Sequence, residues 1–172
     1  MITPAKPSDE NTRLQALRDL LILDTLPEER FDRIAKFAKF EFDVPIVLIS
    51  LVDSDRQWFK SVVGFNGCST SRDDSFCAHA ILQDAIMVVE DATQDERFFD
   101  NPYVSAEPHI VFYAGAQLVL PGGAKIGTLC LIDHKPKTLD ETDLLILSTL
   151  RQMVVAELID NAEKIPNIKQ GV

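Results

Sequence analysis

A chain of 172 residues is the size of one ordinary domain, and at 46% hydrophobic and 26% charged it can bury a real core. Its formal net charge of −10 argues against a nucleic-acid backbone or an anionic membrane surface as partner, and no run of Lys and Arg offsets it. The longest nearly continuous apolar run, residues 45–52, is far short of the roughly 20 residues needed to span a bilayer, and the N-terminus lacks a signal peptide's apolar stretch.

Residues 1–9 hold two prolines and no periodicity, and read as a disordered lead-in to one domain over 10–165, with a tail at 166–172. From 10 to 23, Leu14, Leu17, Leu20 and Leu21 recur at helical spacing. Asp24 and Pro27 break that pattern. Thr25 and Glu28 stand three apart as a capping box for a second helix, buried along Phe31, Ile34, Ala35, Ala38 and Phe42.

Residues 46–52 are β-branched and apolar, as in a strand covered on both faces, and 57–63 returns after a turn at 53–55 as its hairpin partner. Residues 64–74 read as a loop, 75–82 as a short helix and 86–90 as a strand. Residues 92–109, rich in Asp, Asn and Pro, read as irregular coil with one helical turn. Strands at 112–120 and 125–133 flank the turn Pro121-Gly122-Gly123-Ala124. Thr138 and Glu141 form a second capping box for a long helix reaching about residue 164. Helices, then five or six strands, then a helix predict an α+β architecture around a mainly antiparallel sheet.

Five stretches carry a resemblance: DSFCAHAI at 74–81, VVEDA at 88–92, DERF at 95–98, FYAGA at 112–116 and IGTLCLID at 126–133. Together, over residues 11–158, the chain resembles GAF domains of bacterial signalling proteins. That resemblance implies about six antiparallel strands, with the N- and C-terminal helices on one face and a ligand pocket on the other. It also implies a homodimer built through those helices, and a place upstream of a histidine kinase or nucleotide cyclase. The 172 residues leave no room for an output domain, so a free-standing sensor or an excised piece is expected.

Departures from the family pattern narrow the ligand. Val111 stands where relatives usually carry Arg, which removes a cation and disfavours an anionic ligand, and Gln117 stands where Pro is usual. The Asn-Lys-Phe-Asp-Glu signature of cyclic-nucleotide-binding members is absent. Bilin-binding members often attach chromophore through a Cys directly before a His, whereas Cys77 and His79 are separated by one residue.

Cys68, Cys77 and Cys130 are odd in number and lack CxxC spacing, which fits reduced thiols and a cytoplasmic location. His79, His109 and His134 match no metal spacing, so neither metal nor cofactor is expected. Free methionine-(R)-sulfoxide reductases share the resemblance, with two of three cysteines near the positions of Cys68 and Cys77. Their attacking cysteine would fall between 92 and 116, where this chain has none, and Cys130 reads as a small buried hydrophobe in a strand. Cys77 and His79, two apart on a helix, point roughly 200° away from each other and pair poorly. Glu90, Asp91 and Asp95 beside Arg97 read as a solvated, loop-capping cluster.

The aromatic residues point to a pocket, although strand alternation lets only about half of them face one cavity. The expected ligand site comprises Trp58, Phe76, Cys77, His79, Asp91, Phe98, Phe112 and Tyr113, holding a small uncharged or weakly polar molecule. On the last helix, Leu144, Leu147, Leu150, Val154 and Leu158 form one apolar stripe, widened by Leu145, Val155 and Ile159. With Leu14, Leu17 and Leu21 those last three form the expected dimer interface. The sequence thus predicts a non-catalytic sensor. A thiol-dependent reductase and a structural dimerisation unit with a self-filled pocket are the alternatives.

Overall fold

The computed structural model describes residues 1–164. Six strands, β1 (Ile46–Val52), β2 (Arg56–Val63), β3 (Ser69–Ser71), β4 (Met87–Val89), β5 (Phe112–Val119) and β6 (Lys125–Asp133), form one sheet in the order β3-β2-β1-β6-β5-β4. Every neighbouring pair is antiparallel. Among the described residues five helices accompany it: α1 (Glu10–Asp19), α2 (Glu29–Phe42), α3 (Phe76–Ala80), α4 (Pro102–Ser105) and α5 (Glu141–Lys164).

Alternation along the central strands divides the interior into two cores. Val47, Ile49 and Leu51 of β1 and Leu129 and Leu131 of β6 face α2 and α5, against Phe31, Ile34, Leu150 and Val154. Leu48 of β1, Cys130 and Ile132 of β6 and Tyr113 of β5 face the other way, toward α3 and the loops. The expected α+β arrangement, long helices on one face and a smaller covered site on the other, is the one observed. In mid-sheet Gly127 lets β6 approach β1, since a β-carbon there would overlap the Ser50 carbonyl.

Several local expectations are corrected. The first helix ends at Asp19, short of residue 23, because Leu21 (φ 49°) and Asp24 (φ 60°) adopt left-handed backbone. The Thr25–Glu28 capping box does not form. Glu28 turns instead to the buried Lys60, 2.6 Å away, and Thr25 Oγ1 accepts from the same ammonium at 2.7 Å. The second box is displaced by two residues: Asp140 Oδ1 accepts from Asp143 N–H at 2.8 Å and Asp143 Oδ2 from Asp140 N–H at 3.0 Å. β3 emerges from the stretch read as a loop, paired with Arg56, Gln57 and Trp58 of β2.

The lead-in at 1–9 makes contacts with the domain. Pro4 is buried, and Ile2 N–H donates to the Arg97 carbonyl at 3.1 Å. The tail at 166–172 lies outside the described residues.

At the other end of the sheet, α1 is tied down by charge. Arg13, almost wholly buried, donates to the Val52 carbonyl at 2.7 Å and to both oxygens of Glu10, while Arg72 reaches Glu10 at 2.5 Å. Partial burial pushes the Glu10 carboxyl up, but the two guanidiniums prevail and hold it at about 2.

Candidate functional site

The site lies under α3. Ser75 caps that single turn, its Oγ accepting from Ala78 N–H at 3.0 Å and donating to Gln57 Oε1 at 2.5 Å, so helix and sheet are joined at the cap. Beneath it is a cavity of about 30 Å³, walled by Phe59, Phe65, Phe76, Tyr103 and Tyr113. Half-buried Thr70 and Asp74 stand at its rim. Such a volume holds one or two waters, whereas drug-sized ligands occupy roughly 300–1,000 Å³.

Behind Phe76 a second layer holds the wall rigid. Its ring stacks on Phe98 with centroids 4.0 Å apart and planes 11° from parallel, and the Arg97 guanidinium lies over Phe98 at 4.9 Å. The His79 ring meets Phe98 edge-on, and its Nε2–H donates to the Ile2 carbonyl at 2.8 Å. Burial, assisted by the nearby Arg97 charge, lowers the His79 pKa against the opposing pull of the Ile2 carbonyl and Asp95.

Cys77 and Cys130 form part of the cavity lining, their sulfurs 3.9 Å apart, and the Tyr113 hydroxyl donates to Cys77 Sγ at 3.3 Å. Burial raises the Cys77 thiol, while the polar groups around it, the Tyr113 hydroxyl among them, outweigh burial and lower it. Hydrogen bonding to Cys77 and burial push the Cys130 thiol up.

Of the eight residues expected at a ligand site, Phe76, Cys77 and Tyr113 line this cavity. Phe98 and His79 stand one layer behind it. Trp58 and Phe112 face the long helices, because strand alternation turns them away from Phe59 and Tyr113. Asp91 is withdrawn as well: its Oδ1 accepts from Thr93 N–H at 3.0 Å and Thr93 Oγ1 at 2.6 Å, closing a turn.

Gln57, Phe65, Tyr103 and Cys130 were missed. Alternation did hold a signal for Cys130, which must face away from Leu129 and Leu131. Cys68 is exposed, and it is Cys130 that lies beside Cys77. Among the described residues no group of three or more His, Cys, Asp or Glu is placed to hold a metal ion.

The expected dimer residues divide similarly. Leu17 is 0% exposed and Leu14 nearly buried, both covered within the chain, while Leu21 and Leu145 are open at 55% and 68%. Val155 and Ile159 are half-buried.

A sheet with long helices packed on one face and a capped helical turn over a small apolar cavity on the other defines a small α+β domain. The chain belongs to the GAF domain family, whose model matches residues 26–158. It is 43% identical over 159 residues, 92% of its length, to a cyclic di-GMP phosphodiesterase of Pseudomonas aeruginosa, and spans 27% of that protein.

Among solved structures it is similar to the GAF domain of an Acinetobacter phosphoenolpyruvate-protein phosphotransferase. That match has TM-score 0.62 and 20% identity, covering 91% of this chain and 98% of that one. It is also similar to a type II free methionine-R-sulfoxide reductase from Thermoplasma acidophilum, with TM-score 0.64 and 13% identity, covering 77% of this chain and 92% of that one. At these identities the likeness shows the fold alone. No helix among the described residues is long and apolar enough to cross a membrane.

Proposed function

We propose that the chain is a non-catalytic regulatory domain of cytoplasmic signalling that converts the state of the α3 cavity into the packing of α5. The supporting observation is Gln117, buried at the edge of β5. Its Nε2 donates to the Ala80 carbonyl at the end of α3, 3.0 Å away, and to the Ala85 carbonyl at 2.5 Å, while its Oε1 accepts from Arg151 of α5 at 3.4 Å. One side chain therefore spans from the helix over the cavity to the long helix behind the sheet. A ligand shifts such a link only by binding one packing better than the other.

The ligand we assign is small and uncharged or weakly polar, entering as Phe65 and Tyr103 turn outward from the cavity. The output is homodimer geometry. The outer faces of α2 and α5 expose Phe37, Phe40 (84%), Leu145 and Met153, an apolar stripe suited to a twofold contact. Given the relative named above, we assign the controlled activity to cyclic-dinucleotide turnover, in place of the histidine kinase or nucleotide cyclase that resemblance alone suggested.

The cavity's volume favours a second reading, a structural dimerisation module filled by its own side chains. Native mass measurement followed by denaturation separates the two. A dimer releasing a stoichiometric small molecule supports the sensor. A dimer that releases nothing, and whose α5 hydrogen exchange ignores every compound in a small-molecule screen, supports the structural module.

A further inference from the structure

We propose that Cys77 and Cys130 are a reactive dithiol, which a two-electron oxidant of the hydrogen peroxide class converts into a disulfide within the cavity. The two residues are 53 apart in sequence and belong to different elements, yet their sulfurs lie 3.9 Å from each other. The cavity they line accommodates a water-sized molecule, and its rim residues reach the surface. Neither thiol is committed to a strong alternative. Cys130 Sγ makes one long contact, 3.6 Å, to the Leu48 carbonyl, and Tyr113 supplies a hydroxyl hydrogen bond that stabilises a Cys77 thiolate.

The chemistry balances in two steps. The Cys77 sulfur attacks one peroxide oxygen, and the O–O bond breaks. Cys77 becomes a sulfenic acid, and the departing hydroxide leaves as water with the proton of the Cys77 thiol. The Cys130 sulfur then attacks the sulfenic sulfur, forming the S–S bond and displacing hydroxide, which takes the Cys130 proton and leaves as a second water. Each sulfur loses one electron and the peroxide gains two.

Closing the gap from 3.9 Å to the bonded length of about 2.05 Å requires one partner to move. Cys130 is held in β6 by strands on both sides, so the adjustment falls to α3, a single turn, and to the Cys77 side chain. The site needs no bound ligand, and its reactivity is independent of the sensory role proposed above.

The test treats the fully reduced chain and its Cys68→Ser variant, which lacks the exposed thiol, with hydrogen peroxide. The product is denatured, alkylated and weighed. The expected result in C68S is loss of both alkylatable thiols, a mass lower by two hydrogens, and a cross-linked peptide pair containing Cys77 and Cys130, all reversed by a dithiol reductant. In C68S/C130S, with its fold verified by circular dichroism, the sulfenic acid on Cys77 persists and is captured by dimedone. The proposal is overturned if folded C68S keeps both thiols alkylatable under peroxide that oxidises Cys68 in the parent chain. It is equally overturned if the cysteines gain oxygen without forming the cross-link.

Discussion

The two faces of the sheet are built on different principles. The α2–α5 face is mainly apolar, with Leu17, Phe31, Ile49, Phe112 and Leu147 all fully buried, and its buried Lys60 is paired with Glu28. The α3 face is smaller and places Gln57, Ser75, Tyr113, Gln117 and two thiols among its apolar residues. Hydrocarbon packing responds to volume and shape, whereas buried polar groups must also be matched partner by partner. The first face is therefore suited to holding the fold together, and the second to registering a change.

The neighbours Phe112 and Tyr113 offer the sharpest contrast, since they occupy one strand and point to opposite faces. Phe112→Ala is expected to cost about 3–5 kcal/mol in urea unfolding, as a large ring leaves a closed core. Tyr113→Phe is expected to cost about 1 kcal/mol, the hydrogen bond to Cys77, and to slow alkylation of Cys77 in the native protein. Equal losses at the two positions would remove the distinction between the faces.

The charged cluster beside α1 comes next. Glu10→Gln is expected to cost about 3 kcal/mol, since it leaves Arg13 and Arg72 buried without their carboxylate. Because the folded carboxyl sits near 2, below its ordinary 4.5, its contribution is complete above about pH 4.5 and is lost as pH falls toward 2. Unfolding midpoints of parent and variant should converge across that window.

Gln117→Ala is expected to cost about 1–3 kcal/mol by leaving the Ala85 carbonyl unpaired and the Ala80 carbonyl with only the Gln83 N–H. Its distinctive readout is faster hydrogen exchange in both α3 and α5. Acceleration in α3 alone would show that the side chain does not couple the faces.

His79 gives a smaller, pH-dependent effect. Its lowered pKa means that the folded state favours the neutral ring, so its contribution is present above the ordinary histidine value and is lost as pH falls through the lowered one. Proteolysis within residues 1–8 should accelerate on acidification, and His79→Gln should flatten that dependence.

The smallest effect on the fold is expected from Leu145→Lys, within about 0.5 kcal/mol for an exposed site. Sedimentation should nevertheless show the proposed dimer dissociating. An unchanged dimer would move the interface elsewhere.

Much of the architecture was legible beforehand because its signals are local. The 3.6-residue spacing of Phe31, Ile34, Ala35, Ala38 and Phe42 and the dense apolar run of β1 reflect each segment's own geometry. Short motifs in the right order then identified the family. Site residues were legible in proportion to how local they are. Phe76 and Cys77 sit on the turn that defines the motif, whereas Trp58 and Phe112 were placed on the wrong face because aromatic character says nothing about strand phase.

By itself, the sequence determined the element types, the antiparallel sheet with its two faces, and the family. The tertiary structure decided which groups meet: Glu28 with Lys60 instead of a helix cap, Ile2 with His79, and Cys77 with Cys130 across 53 residues. It also decided that the cavity is nearly filled. Periodicity is set by the geometry of a few adjacent residues, whereas these contacts and that volume are set by how separate elements pack together.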